Sequence, residues 1–492
     1  MPSSSSSLLA PLLARPAAPV VIVDERGEVT WGELMTRAAR MATVLRAGRT
    51  SLEGARVAIL ARQDADWVAS LLGVLFAGGM AVPLSPAYPA AELRWFGDDA
   101  DVESVILSEE HAALAAELVV GRRVIAVDAW RAESAASAGA TLTDEDPAIL
   151  FYTSGTTGKP KGAVLTHANL GTHTRLIREA WALGPEDRLL HALPLHHLHG
   201  LVISLLTQLT GGGSVRLLPR FEATRVVAAL GAGDVSVFMA VPTMYQKLRD
   251  LVGGDAAQLA PKVRPPRLCT SGSAALPVGL AEFWRGVTGS IPLERYGMTE
   301  IGVGASNPLD PARRRPGTVG PPLPSVETRV VADTGELWVR GPSVFPGYWR
   351  RPEATAAAFA AGGWFMTGDV ASIDEDGYVR LMGRTSQDIL KSGGYKLSAL
   401  EIEEVLREHP DVGDCAVIGV ADETWGERVV AVVEARPGRA AGAGGVDGAA
   451  VREWAKSRLA SYKTPREVVV VDALPRNPMG KVTKAELRKK YG

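Results

Sequence analysis

The densest concentration of chemically useful side chains lies at residues 152–162, YTSGTTGKPKG. Thr153, Ser154, Thr156 and Thr157 supply hydroxyls, Gly155, Gly158 and Gly162 free the backbone, and Lys159 and Lys161 add positive charge. Glycine lets backbone N–H groups turn toward an anion, and the hydroxyls and ammonium groups donate further hydrogen bonds, so the loop best complements a polyphosphate. It is not the common P-loop, which needs four residues between its glycines and a Ser or Thr after its lysine. Here two residues separate Gly155 from Gly158, and Pro160 follows Lys159. A plain Gly/Ser/Thr surface turn is the ordinary alternative, but such a turn has no use for so many donors.

Further groups lie downstream. Residues 294–300 read ERYGMTE, where a glycine turn between Tyr296 and Glu300 can stack a base and present a carboxylate to a cation. Thr367-Gly368-Asp369 follows the aromatic pair Trp364 and Phe365; a fixed Asp369 can accept from both hydroxyls of a ribose. Arg384 comes shortly after it, and residues 475–481, PRNPMGK, place Lys481 in a Pro and Gly frame near the C-terminus. In residues 392–395, SGGY, Gly393 and Gly394 allow close approach of a slender ligand, or simply make a tight turn. Residues 194–200, PLHHLHG, hold three histidines, but no acidic or cysteine ligand lies near in sequence to complete a metal site. If that segment is extended, His197 and His199 share one face.

These groups need a frame. Thr30 and Glu33 form a capping-box pattern ahead of Trp31, Leu34, Ala38, Met41 and Leu45 at helical spacing. Strand candidates at 55–60, 102–107, 148–151, 215–218 and 235–239 alternate with amphipathic helices, which implies parallel sheets covered by helices. The apolar run 67–84 is long enough to suggest a membrane span, but Gly73, Gly78, Gly79 and Pro83 divide it into a buried helix and a strand. Residues 326–340 change to short strands with turns and predict a more antiparallel subdomain. After a polar connector at 383–394, Ser398 and Glu401 open a helix to about 407, followed by strands at 415–420 and 429–433, a Gly/Ala-rich loop at 436–448, a helix near 451–459, a strand at 468–471 and a last helix from Thr483. The fold class is therefore α/β: a large N-terminal domain of helix-covered sheets plus a β-rich subdomain (1–386), and a small α+β C-terminal domain (387–492).

The 492 residues are too many for one ordinary domain, and 46% hydrophobic with 22% charged residues fits a chain with a large core. Lys plus Arg number 53 and Asp plus Glu 55, a net charge of −2 that argues against a nucleic-acid or anionic-membrane surface. Two distant cysteines, Cys269 and Cys415, allow no disulfide framework and imply a reducing, cytoplasmic compartment. The start, a serine run followed by apolar residues 8–14, lacks the basic flank of a signal peptide and is expected to be a disordered leader.

The loop at 152–162 resembles the signature of the acyl-adenylate-forming enzymes: acyl-CoA synthetases, luciferases and peptide-synthetase adenylation domains. The later motifs follow in family order over nearly the whole chain. The resemblance implies that Thr153 to Lys159 hold phosphates and that Ser271, Gly272, Ser273 and Ala274 line the adenine site. It implies that Tyr296 packs on adenine within the nucleotide-binding run Glu294, Arg295, Tyr296, Gly297, Met298 and Thr299, that Thr299 meets phosphate, and that Glu300 helps hold Mg2+. Asp369 and Arg384 would contact ribose, and Lys481 would bridge the attacking carboxylate and the α-phosphate. Ser392, Gly393, Gly394 and Tyr395 would reach the thiol channel for CoA once the C-terminal domain has turned about a hinge at Gln387 or Asp388; residues 385–391 are about one residue longer than in many relatives. Such lysines can be acetylated, so an acetyltransferase acting on Lys481 is an implied partner. ERYGMTE, GRTSQDILKSGGYKLSALEIE and DETWGERVV together are most similar to malonyl-CoA and methylmalonyl-CoA synthetases. In many relatives the place of Arg295 is small or uncharged; here a guanidinium would welcome a second carboxylate, with His197 and His199 lining the acyl pocket, unless Arg295 pairs with Glu294 or another structural carboxylate. The activity implied joins a diacid, ATP and CoA. Alternatives are a short-chain monocarboxylate–CoA ligase, an adenylating enzyme that loads a separate carrier protein, and a silent nucleotide-binding regulator.

Overall fold

Short apolar runs ending in glycine, proline or a cap residue become the strands of four sheets in the computed structural model, which describes residues 6–133, 140–153, 160–392, 395–436, 446–477 and 482–492. One sheet has seven strands, in spatial order Gly347–Tyr348, Lys161–Thr166, Pro147–Thr153, Met80–Pro83, Arg56–Leu60, Val102–Leu107 and Arg123–Ala126. A second has eight, in order Gly302–Ser306, Leu293–Met298, Leu268–Ser271, Val237–Ala240, Arg188–His191, Ser214–Leu217, Val20–Asp24 and Gly27–Thr30. Both are parallel through their middles, as strands buried on both faces by helices must be, and turn antiparallel only toward an edge. The region expected to be antiparallel is so: Glu327–Val330, Glu336–Arg340, Trp364–Ile373, Phe359–Ala360 and Val379–Arg384 form a five-stranded sheet of their own.

The helices form for local reasons that the sequence states. Thr30 caps the helix Trp31–Arg46, and both halves of the capping box with Glu33 are present. Its stripe of Leu34, Ala38, Met41 and Leu45 is buried. The apolar run after it becomes the helix Ala65–Phe76, buried at every position, and then the strand Met80–Pro83. A Cβ on Gly73 would lie 2.8 Å from Cβ of Met41, so the two helices touch where that glycine leaves room. Among the described residues no helix is long and apolar enough to cross a membrane.

The largest apolar cluster spans both large sheets, from Leu8 to Val379. Beyond Ile389 the chain builds a fourth sheet, with Tyr395–Ser398, Ile389–Ser392, Gly426–Ala435, Val412–Asp422 and Glu467–Val471. Its two clusters draw only on residues from Leu390 onward, so this unit carries a core of its own. Ser398 caps the helix Ala399–Arg407, and Lys484–Tyr491 ends the chain. The Gly/Ala-rich loop expected at 436–448 lies largely outside the described residues.

One expectation fails. Residues 6–14 are not a disordered leader: Leu9–Leu13 is a helix, and Leu8, Leu9 and Leu12 are fully buried. The Ser6 hydroxyl lies 2.9 Å from Nδ1 of buried His167, and the Ser7 N–H donates to Oδ1 of Asp144 at 2.7 Å. The serine run hid three leucines spaced to share one helical face. Leu12→Ala should therefore cost about 2–5 kcal/mol of stability, read as a lower urea midpoint; a midpoint unchanged from that of the parent chain would restore the leader.

Candidate active site

The strand Leu293–Met298 carries the ERYGMTE motif and aims neighbouring side chains to opposite faces, because the period of a strand is two. Tyr296 goes one way. Its hydroxyl donates to Oδ2 of Asp369 at 2.6 Å, and Nε of Arg384 donates to Oδ1 of the same carboxylate at 3.1 Å. Asp369 and Arg384 stand opposite each other in the pairing of Trp364–Ile373 with Val379–Arg384. The Thr367 hydroxyl fixes that turn by donating to the Leu337 carbonyl at 2.6 Å and accepting from the Asp369 N–H at 3.1 Å. Three residues singled out from separate motifs thus meet where the eight-stranded sheet abuts the antiparallel one. Burial and the Asp369 carboxylate both push the Tyr296 phenol up. Burial alone would lower the Arg384 guanidinium, but Asp369, Tyr296 and Glu300 outweigh it and keep it charged.

Thr299 and Glu300 occupy the turn after the strand. Glu300 is buried, and Oε1 accepts from the Tyr348 hydroxyl at 2.9 Å. Burial raises its carboxyl, and the Tyr348 hydrogen bond works in the opposite direction. Tyr348 has no motif to announce it. It arrives because Gly347–Tyr348 pairs with Lys161–Thr166, which also sets the Lys161 ammonium 5.0 Å from the centre of its ring. A divalent cation on a nucleotide takes few protein carboxylates, and one buried Glu with hard oxygen donors suits Mg2+. Among the described residues no group of three His, Cys, Asp or Glu is placed to hold a metal ion.

Arg295 goes the other way. Its side chain is buried, its Nε and Nη2 have no hydrogen-bond partner, and among the described residues it makes no ion pair. The expected alternative, pairing with Glu294, is absent because alternation sends the two to opposite faces. Glu294 instead accepts from the Leu276 N–H at 2.9 Å. Burial lowers the Arg295 guanidinium to about 9 and raises the Glu294 carboxyl to about 8. Gly272 makes room: a Cβ there would lie 2.5 Å from Cζ of Arg295. The next residue, Ser273, holds a left-handed φ of 69°, and its hydroxyl lies 3.2 Å from Nδ1 of His199. Thr270 and Ser271 contribute buried hydroxyls on the same strand end. Arg295, the turn at 271–274 and His199 therefore lie side by side.

Residues 194–200 are not extended. The His197 N–H folds back toward the Pro194 carbonyl at 3.4 Å, and a π-helix runs from His199 to Leu206. His197 lies in the bend before that helix, so the condition under which His197 and His199 would share one face, an extended segment, is not met. The His197 ring lies 4.2 Å from that of His196.

The loop itself is only partly described. Tyr152 and Thr153 end the strand Pro147–Thr153 and stand opposite Gly162 and Lys161 of the returning strand, so the phosphate motif closes a hairpin. The Tyr152 hydroxyl donates to Oδ2 of Asp99 at 2.9 Å. Ser154, Gly155, Thr156, Thr157, Gly158 and Lys159 lie outside the described residues, as do Gly393, Gly394 and Lys481. Ser392 and Tyr395 face each other in the hairpin that begins the C-terminal sheet, and the exposed Tyr395 ring stacks on Tyr462 at 4.5 Å.

Comparison with known proteins gives these residues a context. The model of the AMP-binding enzyme family matches residues 13–349, and that of the AMP-binding enzyme C-terminal domain matches residues 401–481. The chain is similar to the mitochondrial malonate–CoA ligase of Bos taurus, 39% identical over 99% of this chain and 91% of the relative. It superimposes on the crystal structure of ATP-bound MatB from Rhodopseudomonas palustris with a TM-score of 0.89, at 37% identity over 99% of both chains. Against a malonyl-CoA ligase in ternary product complex with methylmalonyl-CoA and AMP the TM-score is 0.70, at 38% identity over 95% of this chain and 100% of the other.

The buried Glu294 carboxyl makes stability depend on pH. Its folded value of about 8 exceeds its ordinary 4.5, so the stability linked to its proton is complete below 4.5 and is lost as pH rises through about 8. Glu294→Gln keeps an acceptor for Leu276 and removes the proton; its urea midpoint should fall less between pH 5 and pH 9 than that of the parent chain. Equal falls would place Glu294 ionised in the folded state.

Proposed function

We infer, from the premise that this chain belongs to the AMP-binding enzyme family, an acyl-CoA synthetase that joins malonate or methylmalonate to CoA with ATP, releasing AMP and pyrophosphate. The observation that carries the choice of acid is Arg295. A buried guanidinium with two unpartnered nitrogens, Nε and Nη2, is costly in the absence of an anion. A monocarboxylate spends its one carboxylate on the α-phosphate and leaves Arg295 empty. A diacid presents a second one, which Arg295 can receive in fork geometry with His199 and the Ser273 turn beside it.

The first step follows from the placement of the remaining groups. The hairpin loop Thr153 to Lys159 grips the phosphates through hydroxyls, backbone N–H groups and Lys159. Tyr296 and the turn Ser271-Gly272-Ser273-Ala274 flank the adenine, Gly297 and Met298 continue that wall, and Asp369 with Arg384 receives the ribose. Glu300 would hold Mg2+ and Thr299 would face the phosphate, where the bound cation would supply neutralising charge. Lys481 bridges the acid and the α-phosphate while negative charge builds there, and the acyl-adenylate forms as pyrophosphate leaves. Acetylation of Lys481 would remove that charge and silence this step.

The second step needs Lys481 withdrawn and a thiol admitted. A C-terminal unit with its own core, joined at Gln387 or Asp388, can turn as a body and bring Ser392-Gly393-Gly394-Tyr395 to the channel for CoA. The closer superposition on the ATP-bound relative than on the product complex, at nearly equal identity, supports such a turn. Two free buried cysteines suit a reducing compartment such as the cytoplasm.

Pyrophosphate release tests the reading. Malonate or methylmalonate should far exceed acetate and octanoate, with turnover dependent on CoA. Arg295→Ala should cut the preference for malonate over acetate by roughly 10- to 100-fold, the worth of about 1.5–3 kcal/mol in hydrogen bonds to a charged group. An unchanged ratio would remove Arg295 from the acid pocket.

A further inference from the structure

A chain of charges, buried at its centre and half-buried toward its ends, runs through the C-terminal unit, and none of the motifs accounts for it. Asp388, at the start of the unit, accepts from Nζ of Lys484 at 2.5 Å. The same ammonium reaches Oε1 of Glu403 at 2.7 Å. Oε2 of Glu403 accepts from Nη2 of Arg407 at 3.2 Å, and Nε of Arg407 donates to Oδ1 of Asp414 at 3.1 Å. Oδ2 of Asp414 accepts from Nη2 of Arg476 at 2.6 Å. The order is carboxylate, cation, carboxylate, cation, carboxylate, cation. The middle is the most deeply buried part, with the Glu403 side chain 3% and the Lys484 side chain 9% exposed.

Backbone groups pin the chain along its length. The Val417 N–H donates to Glu403 at 2.8 Å, the Cys415 N–H to Asp414 at 2.8 Å, and the Arg384 N–H to Oδ2 of Asp388 at 3.0 Å. The Asp388 carbonyl in turn accepts from the Ala399 N–H at 2.7 Å. Burial alone would lower the Lys484 ammonium, but Glu403 and Asp388 outweigh it and hold it charged.

Two members of this chain, Arg476 at its end and Lys484 next to Asp388, sit on either side of one segment. Arg476 precedes it and Lys484 follows it, and the residue between them that the mechanism uses is Lys481. Arg476 also pairs with Val482 across a β-bridge, and the Thr483 N–H donates to the Pro475 carbonyl at 2.8 Å, so the segment is pinched at its base. Apolar packing of the same volume would stabilise such a region as well or better than buried ions do. What charge-assisted hydrogen bonds add is direction. We propose that Lys484 and Glu403, with Arg407, Asp414 and Arg476, are positioning residues: they hold both ends of the Lys481 segment in one register and tie that register to Asp388 at the turning point. The same chain then serves the adenylation step and not the thiol step, which uses residues 392–395 of the unit. This rests on the reading of Lys481 as the adenylation lysine.

The test separates the half-reactions. Malonate-dependent exchange of pyrophosphate into ATP reads adenylation; malonyl-CoA formation from supplied malonyl-adenylate and CoA reads the second step. Lys484→Met should lower the rate constant of exchange about 100-fold, the scale for a misplacement of about 1 Å, with the KM values for ATP and malonate within about twofold. The second step should stay within about threefold of the parent enzyme. Lys484→Arg should recover most of the exchange rate, because it keeps the charge between Asp388 and Glu403. If Lys484→Met gives no folded protein, Glu403→Gln and Arg476→Met carry the same comparison. Exchange at the parent rate in these variants, or equal loss of both half-reactions, overturns the proposal. Lys481→Ala is the control: if it abolishes exchange while the charge-chain variants do not, the positioning role alone fails, and if it leaves exchange intact the underlying reading of Lys481 fails with it.

Discussion

Burying the Arg295 guanidinium takes a cation out of water and, among the described residues, gives it no carboxylate in return. The fold enforces this. Strand alternation sends Glu294 to the far side, and Gly272 clears the space that a side chain would fill. The turn that follows holds Ser273 in a left-handed conformation against His199, a strained backbone at a place where strain can be part of function. A pocket built this way is unfinished until an anion enters it. On the proposed reading, the choice of acid rests on what the protein withholds from Arg295 as much as on what it offers the substrate.

The nucleotide side depends on a different arrangement, in which opposite charges are satisfied. Asp369 collects the Tyr296 hydroxyl from one sheet and the Arg384 guanidinium from another, so its carboxylate is fixed by two sheets at once. Arg384 then leads directly to Asp388, where the chain enters a unit with a separate core. The proposed nucleotide contact and the proposed turning point are thus only four residues apart. A large apolar core unites the first part, and the second part, reached through a polar connection, packs around separate cores, as the proposed turning requires.

Much of this was legible before any coordinates. The capping box at Thr30, the division of the apolar run after Trp67 into helix and strand, and the change to antiparallel pairing near residue 326 all rest on local rules that the fold obeys. The meeting of Tyr296, Asp369 and Arg384 was legible only through family order, since their spacing in sequence says nothing of distance. Other features were not readable. Tyr348 reaches Glu300 through a two-residue strand too short for any periodic signal. The leucines at 8, 9 and 12 were masked by the serines before them. The histidine segment winds into a π-helix, a conformation that no alternation pattern announces. The charge chain from Asp388 to Arg476 joins residues that look like surface charges in sequence, because its partners come from five separate elements or connections.

The most direct test of the account is a crystal structure of the protein with magnesium, malonate and a non-hydrolysable ATP analogue. The account predicts the adenine beside Tyr296, the ribose at Asp369, and the distal malonate carboxylate about 2.7–2.9 Å from the Arg295 guanidinium, the length of a charge-assisted hydrogen bond. A distal carboxylate left in solvent, with Arg295 turned to a carboxylate of the protein, would contradict it.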